Sequence, residues 1–133
     1  RDYKFGFGSD GFRRFNCPQP NCFTTDNRTL LGDDPSHFDA VVFSGMHFRL
    51  DQPAKQFIDS WRRPHRQRFV YYQMESPDYD WNTYDAKAYN NFFNWTMTYR
   101  HDSDILRLYG WFQKKDEVRV APQILRDVSE WPK

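Results

Sequence analysis

Residues 68–77 read Arg68-Phe69-Val70-Tyr71-Tyr72-Gln73-Met74-Glu75-Ser76-Pro77. The first seven side chains are aromatic, β-branched or long, without Gly or Pro, and the run predicts a strand over 68–74. Upstream, Phe38-Asp39-Ala40-Val41-Val42-Phe43 is a second short apolar run bounded by turn residues. Downstream, Trp95-Thr96-Met97-Thr98-Tyr99 is a third. Between the first two lies Asp51–Trp61, which predicts a helix. Asp51 can cap it, Pro53 suits its first turn, and Phe57, Ile58 and Trp61 fall on one face. Shorter helices are predicted around Tyr84–Asn91 and Gln123–Val128. Strands separated by helical patterns predict βαβ units and a parallel sheet in an α/β fold. Ligands of such sheets bind beyond the C-terminal ends of the strands, and Glu75 falls there.

Residues 1–37 are punctuated by Gly6, Gly8, Gly11, Pro18, Pro20, Gly32 and Pro35, and read as loops. Their aromatics, Tyr3, Phe5, Phe7, Phe12 and Phe15, are expected to cover one side of a core. The whole length of 133 residues suits one domain. Lys and Arg number 19 against 18 Asp and Glu, and a net charge of +1 argues against a surface devoted to nucleic acid. Aromatics supply 20% of the chain out of 38% hydrophobic residues, a richness that disordered chains lack. No apolar run approaches the roughly 20 residues of a membrane span. The chain opens Arg1-Asp2-Tyr3-Lys4, with neither an initiator Met nor an apolar leader. It therefore reads as an internal piece of a longer polypeptide.

Cys17 and Cys22 have a spacing unlike a C-x-x-C redox pair, and two Cys alone cannot build a zinc site. The four His are scattered, so no metal site is expected. Three readings of the cysteines stand open: a local bridge contributing about 2 kcal/mol by chain entropy, bridges to cysteines outside this chain, or two free thiols. Asn27-Arg28-Thr29 and Asn94-Trp95-Thr96 are glycosylation sequons. Cysteines and sequons together favour a luminal or extracellular protein.

Three polar motifs invite chemistry. Arg62-Arg63-Pro64-His65-Arg66-Gln67-Arg68 is a basic run that could meet phosphate. The near-zero net charge favours a solvated loop feeding a strand instead, and a nucleic-acid partner is not expected. Asp102-Ser103-Asp104 has the D-x-D form that can hold a divalent cation on a nucleotide diphosphate, or simply cap turn amides. Glu75, at a strand end beside apolar side chains, is a candidate general base or a cap on the following turn.

The segment Arg62-Arg63-Pro64-x-x-Gln67-Arg68-Phe69-Val70-Tyr71-x-x-Met74-Glu75-Ser76-Pro77 resembles the α1,3-fucosyltransferase family. So does Phe93-Asn94-Trp95-Thr96-Met97-Thr98-Tyr99-Arg100-His101-Asp102-Ser103-Asp104-Ile105, followed by Tyr109-Gly110. Cys22-x-Thr24-x-Asp26-x-Arg28 and Asp39–Phe43 are similar as well, in the same order and approximate spacing. The resemblance runs over about residues 5–110.

The resemblance implies a Rossmann-like parallel sheet with flanking helices, the N-terminal, acceptor-side half of a GT-B glycosyltransferase. On this reading residues 1–133 are that single domain. The GDP-fucose-binding domain lies beyond Lys133 and is absent from this chain, which alone is expected to be inactive. The implied reaction moves L-fucose from GDP-fucose to the 3-hydroxyl of GlcNAc in a glycoprotein glycan, with inversion. Glu75 maps onto the family's general base and Tyr109 onto a residue near the donor side of the cleft. Asp102-Ser103-Asp104 belongs to a family block that is not a catalytic metal motif, so neither a metal nor a cofactor is implied. Cys17 and Cys22 correspond to cysteines that bridge to the C-terminal domain. The family works in the Golgi lumen, held by an N-terminal membrane anchor that would lie outside this chain.

This sequence departs from the family pattern in three places. His101 replaces a second Arg. Ser44-Gly45 replaces the His expected after Val-Val-Phe. Leu106-Arg107-Leu108 replaces the usual Val-Pro before Tyr109-Gly110. Tyr79, Trp81 and Tyr84 could stack on sugar faces or serve the core. The competing function is a carbohydrate-binding module that keeps the fold without catalysis; an intact Glu75 favours the enzyme.

Overall fold

The computed structural model describes residues 6–48, 59–76, 90–116 and 129. Four strands form one sheet in chain order: β1 (Ala40–Ser44), β2 (Arg68–Gln73), β3 (Trp95–Thr98) and β4 (Ile105–Leu106). Every neighbouring pair is parallel. The three runs expected to be strands are strands, with ends differing by a residue or two. The α/β expectation of a parallel sheet is therefore met. β4 was not foreseen, because two exposed residues carry no periodicity to read.

Helical structure is sparse among the described residues. Asp59 and Ser60 are helical, as expected of the end of Asp51–Trp61. The rest of that helix, apart from Trp61, lies outside the described residues. So does the predicted helix at Gln123–Val128 and all but the end of Tyr84–Asn91, where Asn90 and Asn91 lie in a turn. The N-terminal segment holds more structure than its glycines suggest. A short helix, α1, spans Asp10–Arg14, and a 3₁₀ turn spans Pro35–His37. Asp34 caps that turn by accepting from the Ser36 N–H at 2.9 Å, with Pro35 in its first position. Gly8 and Thr24 exchange backbone bonds at 2.8 and 3.0 Å, tying the start of the segment to residue 24. Two of its aromatics do not cover a core, contrary to the sequence reading: Phe7 and Phe15 are exposed, Phe15 at 72%, whereas Phe12 is half-buried. Tyr3 and Phe5 lie outside the described residues.

A cluster of rings covers one face of the sheet, while Val70, next to Phe69 and only 3% exposed, points to the other. The register places Val41 beside Phe69 and Phe43 beside Tyr71, and strand alternation sends these side chains to the same face. Phe43 meets Phe69 edge-on at 4.9 Å between ring centroids. Phe48, Phe92 and Phe93 close over it at 4.7, 5.7 and 5.7 Å. Trp61 packs against Phe69 at 5.2 Å and Phe93 against Tyr71 at 5.1 Å. Tilted and edge-to-face pairs of this kind contribute about 0.5–1.5 kcal/mol each beyond area burial. An aromatic-rich, aliphatic-poor sequence thus builds its core from rings. Both long connections, β1 to β2 and β2 to β3, supply rings to this face, Phe48 and Trp61 from one and Phe92 and Phe93 from the other.

The basic run before β2 is more than a solvated loop, because part of it is built into the fold. Arg63 lies over the Phe69 ring, 4.0 Å from its centroid. Its guanidinium donates to the Phe92 carbonyl at 3.1 Å, to the Gln67 carbonyl at 3.3 Å and to Asn94 Oδ1. Removal from water, and the Arg68 charge after it, push the Arg63 pKa down. Gln67 is fully buried, and its amide donates to the Pro35 and Phe38 carbonyls, each at 2.7 Å. Arg66 pairs with Asp39, and Arg68 donates to the His65 carbonyl.

β3 and β4 are parallel neighbours joined by residues 99–104 alone, where such pairs ordinarily need about a dozen residues or more. Side chains make the short return possible. Asp104 Oδ2 accepts from Thr96 N at 2.8 Å and Thr96 Oγ1 at 2.9 Å, and Thr96 Oγ1 accepts from Asp104 N at 3.2 Å. Thr98 and Ser103 share a hydroxyl bond, Thr98 Oγ1 also accepts from Arg100 N, and Arg100 grips Asp102 through two nitrogens. The D-x-D carboxylates are therefore occupied in turn construction.

Gly45 follows β1 and is buried. A Cβ there would stand 2.5 Å from the Tyr71 hydroxyl and 2.7 Å from its Cζ. The Gly at this departure from the family pattern makes room for the Tyr71 ring. Gly45→Ala should destabilise by about 1–3 kcal/mol through overpacking, and Tyr71→Ala in the same chain should remove most of that increment. Denaturant unfolding of the two single variants and the double variant measures the coupling.

Asp104 is held below the ordinary carboxylate value of 3.8 first by the Thr96 N–H and then by the Thr96 hydroxyl. Its folded-state pKa is depressed, so its contribution is present above 3.8 and fades as pH falls through the lower folded value. Amide exchange at Thr96 and β4 should lose protection across that acid window, and Asp104→Asn should abolish the pH dependence.

Candidate functional site

Because all four strands run the same way, their C-terminal ends share one edge. At that edge β2 ends in Gln73, a buried amide. Its Oε1 accepts from the Met74 N–H at 3.1 Å and reaches the Glu75 N–H at 3.5 Å. The turn carrying Glu75 is thus fixed by the side chain before it, and Glu75 itself is half-buried. Sequence reasoning placed Glu75 at the strand end and missed Gln73. Its signal was available: a lone amide in an apolar strand must find partners when buried.

Tyr109 reaches the same place from the other side of the sheet. Its hydroxyl donates to the Met74 carbonyl, one residue from Glu75. Its ring meets that of Tyr99 at 5.9 Å. The Tyr109 phenol is raised above its ordinary value, first by partial loss of water at its hydroxyl, then by the Glu75 charge, with Tyr99 and Tyr72 adding to it. It therefore stays protonated, and a donor, through neutral pH. Arg107 extends β4 by donating its N–H to the Thr98 carbonyl at 2.9 Å. Its Nε donates to the Tyr72 hydroxyl at 3.3 Å. The edge thus gathers the Glu75 carboxylate, the Arg107 guanidinium and the phenols of Tyr72, Tyr99 and Tyr109.

Chemically, such a group can accept a proton at Glu75, donate hydrogen bonds from phenols and offer ring faces to a sugar. Of the residues singled out from sequence, Glu75 and Tyr109 come together here. His101 is exposed in the β3–β4 turn, beside Asp102. Tyr79, Trp81 and Tyr84 lie outside the described residues. At the β1 end, Ser44 Oγ and His47 Nδ1 are 3.1 Å apart.

Cys17 and Cys22 are both free and half-buried, so the local bridge weighed from sequence is not formed. Asn27 is exposed, with Oδ1 accepting from the Thr29 N–H at 3.1 Å and the Thr29 hydroxyl at 2.9 Å. Asn94 is exposed as well, with Oδ1 accepting from the Phe69 N–H at 2.9 Å and from Arg63. Among the described residues no cluster of three or more His, Cys, Asp or Glu could hold a metal ion, and no helix is long and apolar enough to cross a membrane.

Residues 3–110 match the family described as "Fucosyltransferase, N-terminal". The chain is 39% identical over 90 residues to alpha-(1,3)-fucosyltransferase 7 of Mus musculus, an overlap covering 68% of this chain and 21% of that protein. It is 42% identical over 77 residues to the Homo sapiens 4-galactosyl-N-acetylglucosaminide 3-alpha-L-fucosyltransferase FUT6, covering 56% of this chain and 20% of that protein. To the FUT5 protein of the same description from Hylobates lar it is 45% identical over 75 residues, covering 56% and 19%. The chain thus spans about a fifth of the length of these curated relatives. No solved structure matches it significantly. A parallel sheet with a carboxylate at its C-terminal edge, and a family match over nearly the whole described chain, agree: the chain belongs to the fucosyltransferase N-terminal domain family.

Proposed function

We propose that the chain is the acceptor-side domain of an α1,3-fucosyltransferase, a glycosyltransferase whose GDP-fucose-binding domain lies beyond Lys133. The reaction is transfer of L-fucose from GDP-fucose to the 3-hydroxyl of a GlcNAc in an N-glycan, in the Golgi lumen. The observation that carries this reading is Glu75 at the C-terminal end of β2, its turn fixed by Gln73 and its neighbour Met74 held by Tyr109.

The chemistry suits a carboxylate there. A sugar hydroxyl is a weak nucleophile. Glu75 takes its proton as the new bond forms between that oxygen and the fucose anomeric carbon. The bond from that carbon to the diphosphate breaks in the same step, and GDP leaves with the electron pair. In-line displacement inverts the anomeric centre. GDP is a good leaving group, so no acid is required on the donor side, and neither is a metal from this domain. Tyr109 faces the donor side of the cleft. The exposed apolar residues beyond β4, Trp111 at 80% among them, offer the surface on which the donor domain would close.

In the full-length enzyme, Glu75→Gln should lower the transfer rate by about 10²–10⁴-fold. Assay with GDP-fucose and a panel of N-glycan acceptors checks this and identifies the acceptor. Equal transfer by both forms would make Glu75 structural; glycan binding without transfer by either would favour the non-catalytic binding module.

Both sequons point outward, and a glycan attached through Nδ2 leaves the Oδ1 bonds of Asn27 and Asn94 intact. Secreted from eukaryotic cells, the protein should carry glycans at both positions. Peptide mass spectrometry before and after enzymatic deglycosylation measures the occupancy of each.

A further inference from the structure

Asn94 stands at the start of β3 with its Oδ1 committed twice, to the Phe69 N–H at 2.9 Å and to Arg63. A sugar on its Nδ2 therefore leaves from a side chain already held in one orientation. An open pocket of about 540 Å³ lies at this end of the sheet, the edge opposite Glu75, and Asn94 is one of its walls. Arg63, Pro64, His65, Arg68 and Trp95 line it as well. Trp95 pairs with Val70, and strand alternation puts it on the face opposite the ring cluster. There it stays 41% exposed. The Arg68 guanidinium stands 5.8 Å from the centre of the Trp95 ring and donates to the His65 carbonyl at 2.9 Å.

We propose that this pocket is the seat of the protein's own Asn94 glycan, whose first GlcNAc packs against the Trp95 indole with the Arg68 guanidinium beside it. A GlcNAc presents the two kinds of surface that such a pocket meets. Its C–H hydrogens form an apolar face that suits an aromatic ring, and its hydroxyls and acetamide carbonyl accept from a guanidinium. The pocket is also of ligand size, within the range of about 300–1,000 Å³ usual for small-molecule clefts. The covalent link decides the occupant. A sugar attached to a wall of the pocket is present at high effective concentration and needs little affinity of its own. Once seated, it covers an exposed Trp and braces, from outside, the junction that Asn94 makes between β2, β3 and the basic loop. Asn27 is the internal reference, since its Oδ1 bonds Thr29 in its own turn. The inference goes beyond the transferase reading and shares with it only the luminal location that glycosylation requires.

The test uses the full-length protein secreted from eukaryotic cells fed isotope-labelled GlcNAc, with its N-glycans trimmed by an endoglycosidase to the single GlcNAc on each asparagine. Asn94 is left in place, because its Oδ1 holds the sheet. In the NMR spectrum, with each sugar assigned through its asparagine amide, the Asn94 GlcNAc should be shifted upfield by the indole ring current and the Asn27 GlcNAc should not. Trp95→Leu keeps the sequon and the apolar bulk but removes the ring, and should abolish the shift. Trp95→Phe should retain part of it. On the untrimmed protein, a peptide-N-glycosidase under native conditions should release the Asn94 glycan more slowly than the Asn27 glycan. Trp95→Leu should speed release at Asn94 by about 2–10-fold, the change in seated fraction that one ring contact supplies, and leave the Asn27 rate unchanged. An unshifted Asn94 GlcNAc in the parent, or a release rate at Asn94 that Trp95→Leu does not change, overturns the inference. The parent spectrum decides the matter even if Trp95→Leu fails to fold. A glycan at Asn27 with none at Asn94 overturns it as well and leaves the luminal reading standing, whereas glycans at neither position overturn both. Fucose transfer by the same preparation tests the transferase reading separately.

Discussion

The Asn94 side chain ties the sheet together. Its Oδ1 accepts from the Phe69 N–H in β2 and from Arg63 in the loop before β2, while its own N–H donates to the Phe69 carbonyl. One residue therefore sets where β3 begins relative to β2 and pins the basic loop over both. Phe69 is 1% exposed, and a buried N–H left without an acceptor is costly. The Arg63 guanidinium then lies on the Phe69 ring and bonds the Phe92 carbonyl, bringing the aromatic cluster of the second crossover onto the first. The register of β2 against β3 and the docking of the ring cluster follow from this junction.

The chain solves two problems of small parallel sheets with side chains rather than length. Its core is built of rings, so few residues fill much volume and the directional preferences of aromatic pairs help to fix the packing. Its β3–β4 return is too short for a helix and is assembled from Thr96, Thr98, Ser103 and Asp104 instead. That return sets where the chain emerges from β4, and hence where Arg107 and Tyr109 meet the end of β2. Structure and candidate chemistry are joined at this point: residues that look like a metal motif place the groups that can contact substrate.

The strands could be read from the sequence because short apolar, β-branched and aromatic runs bounded by turn residues have few other uses. Glu75 could be placed at a strand end for the same reason. Arg63 and Gln67 were read differently. A run of arginines in sequence looks solvated, and only the fold brings Phe69, Phe92, Asn94 and the Pro35 and Phe38 carbonyls within reach. The early aromatics failed in the opposite sense. Phe7 and Phe15 look like core residues, but their segment bonds to itself around Gly8 and Thr24 and leaves them exposed.

The sequence by itself determined the α/β class, the three main strands and their parallel sense, the family and the position of Glu75 at a strand end. These depend on local pattern and on motifs contiguous in the chain. Tertiary structure alone decided that Asp102 and Asp104 build a turn, that Gly45 exists for Tyr71, and that Gln73, Arg107 and Tyr109 gather around the end of β2. Each is a contact between residues that strand pairing brings together, and no local pattern encodes which strand edge a side chain will meet.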